Sequence, residues 1–303
     1  PQASYYLYRT EDGPNESPLE EALWLEALER ADSLGVDVVN TSLGYKNFDN
    51  PNYNHSYEDL DGETTIGARA GNIAFDKGML LVTSGGNDGG SSSEFIGTPG
   101  DSRGILTVGS VTSTGAYSSF SSIGPTVDGR IKPDVMAQGS NAAVVEEFGN
   151  VTVSSGTSFS SPIMAGAVAC LWQAFPSMTN GEIMQIVRES AHLFDEPTST
   201  MGYGIPNFEE AFNAATALSV EEQLRDIQFG IYPNPTTNRI NITFPSNISD
   251  AEVSVYNILG KNVLKSRASL SRTFVDISSL SSGLYLVKIS SNSVSNSFKV
   301  VKQ

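Results

Sequence analysis

Short apolar runs alternate with amphipathic segments through the first half of the chain. Residues 36–40, 79–83 and 105–111 are largely apolar stretches with the length of strands, whereas residues 17–35 and 64–77 carry apolar side chains at helical spacing. Strands that are apolar on both faces and that alternate with helices form parallel sheets with right-handed crossovers. The pattern therefore predicts an α/β domain whose functional site lies beyond the carboxyl ends of its strands.

The first predicted helix has recognisable boundary signals. Ser17 and Glu20 form a capping-box pattern, Pro18 occupies the first helical position, and Gly35 follows the last turn. Residues 3–9, which are rich in tyrosine, are predicted as a strand ahead of this helix. Strand, helix and strand together make a βαβ unit.

The period of the pattern changes near residue 230. Beyond that point, short segments of alternating apolar and polar residues are separated by turns rich in Asn, Gly and Ser. This alternation predicts an all-β sandwich of about 75 residues. Its predicted strands cover residues 239–244, 251–256, 273–277, 283–289 and 297–303.

The distribution of charge marks the same boundary. The net charge is −16, and the residues before position 226 include 10 basic and 30 acidic side chains, against 8 and 4 from there on. The acidic balance argues against nucleic acid and anionic membrane surfaces as partners, and no apolar stretch has the length of a transmembrane helix. We predict residues 1–218 as the α/β domain, 219–228 as a linker and 229–303 as the sandwich.

The motif Gly-Thr-Ser-Phe-Ser-Ser-Pro at residues 156–162 carries the strongest chemical signal, and the apolar run 163–172 follows it. A serine at the start of a helix lies beside free backbone N–H groups and the positive end of the helix dipole, which favour developing negative charge. Because the run is apolar on all sides, we expect this helix, including the single cysteine Cys170, to be buried in the core. The alternative is a loop that caps an ordinary core helix.

A second glycine-rich segment, residues 84–89, follows the strand predicted at 79–83. Its small residues allow a ligand to approach the backbone closely, and the side-chain amide of Asn87 offers a hydrogen-bond donor in the space that they leave. A glycine-rich turn that Asn87 stabilises is the alternative interpretation.

These segments together resemble the subtilisin-like serine proteases, or subtilases. The resemblance implies a three-layer fold in which Ser158 is the nucleophile and Asn87 binds the developing oxyanion. It also implies that an extended peptide pairs with the backbone edge at residues 42–44, and that a pocket with small, uncharged walls accepts large apolar side chains. The residues implied in substrate binding are Ser42, Leu43, Gly44, Ser84, Gly85, Gly86 and Gly97.

A serine nucleophile needs a base, and subtilases carry the aspartate and histidine of their triad ahead of the serine. This chain has two histidines: His55 lies in a polar insertion without the Gly-Thr that follows the family's histidine, and His192 lies at a predicted helix end. Neither fits the role of base. Residues 1–3 resemble the segment that follows the family's histidine helix. We therefore expect both triad partners upstream of Pro1, and no activity from this chain alone.

Metal and cofactor signals are weak. The Asp-Leu-Asp-Gly sequence at residues 59–62 begins like a calcium loop but has no further ligands at loop spacing, so an acidic surface turn is the preferred interpretation. The sequence assigns no metal ligand and no cofactor. The resemblance to subtilases leaves a structural calcium ion open.

The predicted sandwich has a family resemblance of its own. Tyr-Pro-Asn-Pro at residues 232–235, the Tyr-Asn-Ile-Leu-Gly-Lys turn at 256–261 and Gly-Leu-Tyr-Leu-Val-Lys at 283–288 are together similar to the C-terminal sorting domain of type IX (Por) secretion cargo. The resemblance implies export to the surface or surroundings of a Gram-negative bacterium, with the secretion machinery as a partner. We thus expect a secreted serine endopeptidase acting on proteins or peptides. The alternative is a secreted, non-catalytic subtilase-fold protein that binds peptide or matrix.

Overall fold

The computed structural model describes residues 3–226, 228–245, 248–291 and 294–303. The chain divides into two units, Pro1–Ala215 and Thr216–Gln303. A parallel sheet organises the first unit and two antiparallel sheets organise the second. None of the helices in the described residues is long and apolar enough to cross a membrane.

A four-stranded parallel sheet forms the centre of the first unit. Its strands, in spatial as well as chain order, are β1 (Val38–Thr41), β2 (Leu80–Ser84), β3 (Ile105–Val111) and β4 (Val135–Gln138). The helices are α1 (Leu19–Ser33), α2 (Ile66–Asp76), α3 (Thr157–Ala174), α4 (Asn180–Glu189) and α5 (Phe208–Asp226).

Both faces of the sheet are covered, because β2 and β3 are buried at every position. Leu80 and Val82 pack into a cluster with α3 and α4, whereas Leu81, which lies between them, packs with α1 and α2 on the opposite face. The predicted three-layer α/β arrangement is confirmed.

Residues 3–9 do not form the predicted strand. They have no sheet partner among the described residues, and Leu7 is 92% exposed. Strand propensity does not suffice where no neighbouring strand accepts the backbone hydrogen bonds. The capping box of α1 is also only half formed: Glu20 accepts a hydrogen bond from the Ser17 N–H at 3.3 Å, but no side chain caps the helix in return.

Helix α3 is buried on one side only, which corrects the expectation that it is surrounded by core. Met164, Val168 and Leu171 pack against the sheet and α4. Ile163, in contrast, is 51% exposed, and Cys170 is exposed rather than buried. The apolar part of α3 therefore has one side that is not packed against other described residues.

Between β4 and α3 the chain forms a hairpin that the sequence pattern did not predict. Its strands β5 (Ala142–Val145) and β6 (Val151–Ser154) are antiparallel, and β6 leads directly to residue 156 at the start of α3. In the linker predicted at 219–228, α5 is helical as far as Asp226, and residue 227 lies outside the described residues.

The second unit is a sandwich of two antiparallel sheets around one apolar core, as predicted. One sheet has the order β10, β9, β12, β13 and the other β11, β8, β7. The strands are β7 (Gly230–Tyr232), β8 (Arg239–Thr243), β9 (Asp250–Asn257), β10 (Asn262–Ser269), β11 (Phe274–Asp276), β12 (Gly283–Ser290) and β13 (Ser295–Lys302). The sequence pattern missed β10, because its lysine and arginine obscure the alternation.

Candidate active site

Ser158 lies in the first turn of α3, at the end of the sheet where β1 finishes. Its hydroxyl donates to the Ser42 carbonyl at 3.2 Å, and the Ser42 hydroxyl donates to the Ser158 carbonyl at 3.0 Å. Gly156 precedes the helix with φ +154°, a conformation that glycine adopts without steric cost. The tight turn and the reciprocal bonds hold Ser158 against the segment that follows β1.

Asn87 is held beside Ser158 by the residue between them, Thr157. The Asn87 Oδ1 atom accepts hydrogen bonds from the Thr157 N–H at 2.9 Å and from the Thr157 hydroxyl at 3.1 Å. Because a backbone N–H can only donate, it fixes which end of the amide is the oxygen. The Asn87 Nδ2 group therefore points away from Thr157, and it donates to no group among the described residues.

Two hydrogen-bond donors lie near the start of α3. The backbone N–H of Ser158 lies in the first turn of α3, where N–H groups have no intrahelical acceptor. The second donor is the side-chain N–H₂ of Asn87, whose amide oxygen is hydrogen-bonded to Thr157, the residue before Ser158. A fixed pair of donors at a helix N-terminus stabilises negative charge on an oxygen without reorganisation.

Asn40 and Ser161 complete a hydrogen-bond chain around the serine that the sequence did not reveal. Asn40 donates to the Ser42 hydroxyl at 3.1 Å and accepts from the Ser161 hydroxyl at 2.6 Å. Asn40 lies at the end of β1 and Ser161 one turn of α3 beyond Ser158. The available sequence signal was Asn40 itself, a polar residue at the end of the apolar segment 36–40.

The residues implied in substrate binding fall into two connected groups. Residues 42–44 follow β1 and approach Gly97 through paired backbone hydrogen bonds between Tyr45 and Thr98, at 2.7 and 3.2 Å. Residues 84–86 end β2 and approach α3, since the Gly86 N–H donates to the Thr157 hydroxyl at 3.1 Å. The first group comprises Ser42, Leu43, Gly44 and Gly97, and the second comprises Ser84, Gly85 and Gly86.

Gly97 is tightly packed from behind. A Cβ atom on this residue would lie 2.8 Å from the Tyr45 carbonyl oxygen and 3.3 Å from the Lys46 Cβ. Any side chain here would force the loops apart, so this wall consists of backbone.

Neither histidine contacts Ser158. The His55 Nε2 atom pairs with Glu21, whose side chain is buried, and this hydrogen bond raises the pKa of His55 against the opposing effect of burial. The His192 Nδ1 atom accepts the Ile205 N–H at 2.9 Å. Within the described residues the Ser158 hydroxyl donates to a backbone carbonyl, and no side chain that could act as a base accepts from it.

One cluster of carboxylates has the spacing of a metal site. Oxygen atoms of Glu11, Glu16 and Glu20 lie within 4.8 Å of one another. Glu20, however, accepts from the backbone N–H groups of Asp12 and Ser17, and Glu11 accepts from the Tyr45 hydroxyl at 2.8 Å. Two of the three carboxylates therefore already accept hydrogen bonds from the protein.

The acidic turn at residues 59–62 has a structural role. Asp59 accepts hydrogen bonds from the Ser56 N–H and hydroxyl. Asp61 accepts from the N–H groups of Glu63 and Thr64. These bonds hold the turn that leads into α2.

A buried ionic cluster lies within the same domain. The Asp134 carboxylate receives Lys132 at 2.7 Å, Arg188 at 2.5 and 2.9 Å, and the Thr107 N–H at 2.7 Å. Burial alone would raise the pKa of Asp134, but Arg188 and Lys132 outweigh it and hold that pKa below its usual value. Burial lowers the pKa of Lys132 to about 8, against the opposing effect of Asp134.

Comparison with known families agrees with this geometry. Residues 1–210 match the model of the subtilase family. The chain belongs to the subtilase family. Residues 230–303 match a second model, the secretion system C-terminal sorting domain. A subtilase with this tail is a secreted or cell-surface protein of a Gram-negative bacterium.

Individual relatives of this subtilase are moderately similar. Serine protease AprX of Bacillus subtilis is 30% identical over an alignment of 198 positions, which covers 58% of this chain and 42% of that protein. Subtilisin DY of Bacillus licheniformis is 29% identical over 188 residues, or 62% and 61% of the two chains. The subtilase chain therefore spans less than two thirds of the length of either relative.

A solved structure shares the fold. The self-cleaved protease domain of PatA superposes with a TM-score of 0.53 and 23% sequence identity, over 65% of this chain and 68% of that one.

Proposed function

We propose that this chain is part of a secreted serine endopeptidase in which Ser158 attacks the carbonyl carbon of a peptide bond. The observation that carries the proposal is the link through Thr157, which holds the Asn87 amide beside the nucleophile with its N–H₂ group free. The Ser158 N–H and Asn87 Nδ2 would donate to the oxyanion of the tetrahedral intermediate. The matched relatives named as serine proteases support this activity.

We propose that the base and its orienting carboxylate, a histidine and an aspartate, come from residues outside this sequence. The pairing of His55 with Glu21 and of His192 with Ile205 supports this, because both rings have other partners. The unpacked side of α3 at Ile163 and Cys170 also supports it, since an apolar helix face beside the nucleophile is stabilised when further chain covers it. The histidine would take the Ser158 proton and return it to the leaving amine.

Substrate recognition follows from the two groups of small residues. An extended peptide would pair with the backbone of the segment 42–44, which follows β1, so most side chains would contribute little selectivity. One side chain would enter between residues 84–86 and Gly97, where the walls consist mainly of backbone. We propose protein or peptide substrates with a large apolar residue at that position.

The sorting tail supports export through the type IX secretion machinery, which would be the partner of residues 229–303. We propose the boundaries 1–218, 219–228 and 229–303 for the peptidase part, the linker and the sorting domain. A structural calcium ion is not assigned to any group of residues.

The direct test is hydrolysis of a protein substrate by the full-length protein, expressed in a host with type IX secretion. We expect activity in the medium, a loss of at least about 10⁴-fold in Ser158→Ala, and retention inside the cell when residues 230–303 are deleted. Ser160→Ala is the matched control: its hydroxyl bonds to the Thr157 carbonyl in the same helical turn, and we expect near-normal activity. Equal activity in Ser158→Ala and the unchanged protein would refute the proposal.

The alternative is a non-catalytic subtilase-fold protein that binds peptide or matrix. The observation in its favour is that the recorded hydrogen bond of the Ser158 hydroxyl goes to a backbone carbonyl. It predicts a folded, exported protein without hydrolytic activity that still binds extended peptides.

A further inference from the structure

A lysine with little solvent contact lies next to the proposed substrate pocket. Lys46 follows the peptide-binding segment 42–44, and its side chain is 8% exposed. Its ammonium group donates to the Asp88 carboxylate at 2.7 Å, to the Ser93 carbonyl at 2.5 Å and to the Phe95 carbonyl at 2.9 Å. Three acceptors therefore satisfy the three donors of the ammonium group.

The ion pair connects two segments that supply walls of the proposed pocket. The Lys46 side chain starts behind Gly97, where a Cβ atom would be 3.3 Å from the Lys46 Cβ. It ends at Asp88, the residue directly after the oxyanion donor Asn87. Asp88 is itself fixed, because its N–H donates to the Ser122 hydroxyl at 3.0 Å.

The two members of the pair differ in exposure. The Asp88 side chain is 48% exposed, whereas the Lys46 side chain is nearly buried. Without Lys46, the exposed Asp88 carboxylate would be an uncompensated negative charge one residue from Asn87 and would attract a basic substrate side chain. With Lys46 in place, the wall is neutral, and a basic side chain gains little there to offset its loss of hydration.

We propose that Lys46 determines the charge preference of the pocket: its buried ammonium group neutralises Asp88 and thereby restricts the pocket to uncharged side chains. The inference rests on the proposed endopeptidase function and adds a specificity-determining pair to it. Lys46 also ties the loop from Asp88 to Phe95 to the peptide-binding segment, so removing it affects loop position as well as charge. The test must separate these two effects.

The experiment uses the active full-length protein and a series of peptides that differ only in the residue entering the pocket: Leu, Phe, Lys, Arg or Glu. In Lys46→Met we expect the ratio of kcat/KM for Lys and Arg over Leu to rise about tenfold. In Lys46→Met/Asp88→Asn the ratio should return to that of the unchanged protein. Loosening of the loop alone would lower kcat/KM for all peptides and would leave the ratio constant.

Asp88→Asn alone supplies an independent test if Lys46→Met does not fold. It leaves the Lys46 ammonium group without its carboxylate, so we expect the kcat/KM ratio for Glu over Leu to rise about tenfold. Lys77→Met is the matched control, because it removes an exposed lysine paired with Asp32 at 2.9 Å. We expect no change in either ratio for that variant.

Labelling of Ser158 by a fluorophosphonate distinguishes the possible failures. If the unchanged protein is not labelled and hydrolyses no peptide, the proposed function and this inference both fall. If it is labelled and active, but neither Lys46→Met nor Asp88→Asn changes the charge preference, the inference about Lys46 alone is wrong.

Discussion

Two polar clusters in the first unit differ in how completely their groups are paired. At Asp134, both carboxylate oxygens receive two donors each, and the side chains of Asp134 and Lys132 are 2% exposed. At Ser158, the Asn87 oxygen is paired, but its N–H₂ group has no hydrogen-bond acceptor in the part of the chain that the structure describes. Saturated buried charges favour a single rigid arrangement, whereas donors left free at a helix N-terminus are available to a ligand. The difference supports a structural role for the Asp134 cluster and agrees with the catalytic role that we propose for Ser158 and Asn87.

Breaking the saturated cluster should have the largest effect on stability. Asp134→Asn leaves Lys132 and Arg188 without their carboxylate, and we expect the free energy of unfolding to fall by about 3–5 kcal/mol at pH 7. Since the folded pKa of Asp134 is below its usual value, its stabilisation is present above about pH 4 and is lost as the pH falls through the folded pKa. The penalty of the variant should therefore shrink in acid.

Urea denaturation of both proteins between pH 2.5 and 7 measures this effect. A penalty that stays constant over the whole range would contradict the assigned role of the Asp134 charge. The folded fraction of the variant should label with fluorophosphonate as the unchanged protein does, because the cluster does not contact Ser158.

Removing the Asn87 donor near Ser158 should reduce catalysis much more than stability. In Asn87→Ala we expect kcat to fall by about 10²- to 10³-fold with little change in KM. The reason is that the hydrogen bond from Asn87 is stronger to the negatively charged oxygen of the transition state than to the neutral carbonyl oxygen of the bound substrate. The free energy of unfolding should fall by about 1–3 kcal/mol, because the substitution also removes the acceptor of the buried Thr157 N–H. Steady-state kinetics with thermal unfolding separates the two quantities. A large rise in KM at constant kcat would assign Asn87 to substrate binding instead.

The smallest expected effect concerns a third polar interaction, the pair formed by His55 and Glu21. Because the folded pKa of His55 is raised, its stabilisation is full below about pH 6.5 and is lost as the pH rises through the folded value. We expect His55→Gln to lower the free energy of unfolding by about 1.5–3 kcal/mol at pH 5.5 and by less at pH 9. Activity per labelled molecule should be unchanged, whereas a parallel loss of activity would connect His55 to catalysis.

The sequence predicted those features whose causes are local. The buried strands β2 and β3 follow from uninterrupted apolar runs, and the position of Ser158 in the first turn of α3 follows from its turn motif. Interactions between distant segments were not predictable in the same way. Asn87 and Thr157 are 70 positions apart, and Asp134 and Arg188 are 54 apart. No local period encodes such pairs.

The incorrect expectations have a common physical cause. Residues 3–9 have strand propensity and Cys170 lies in an apolar helix, but each would be paired or buried only against a neighbour. The described residues do not include such a neighbour in either case. Propensity and hydrophobicity indicate what a segment can pack against, and the surrounding chain decides whether it does.

The most direct test of the central claim is to locate the fluorophosphonate adduct in the full-length protein by mass spectrometry of its peptides. We predict a single adduct on Ser158, absent after heat denaturation and absent in Ser158→Ala. An adduct on another serine, or none on a protein shown to be folded, would contradict the assignment of Ser158 as the nucleophile.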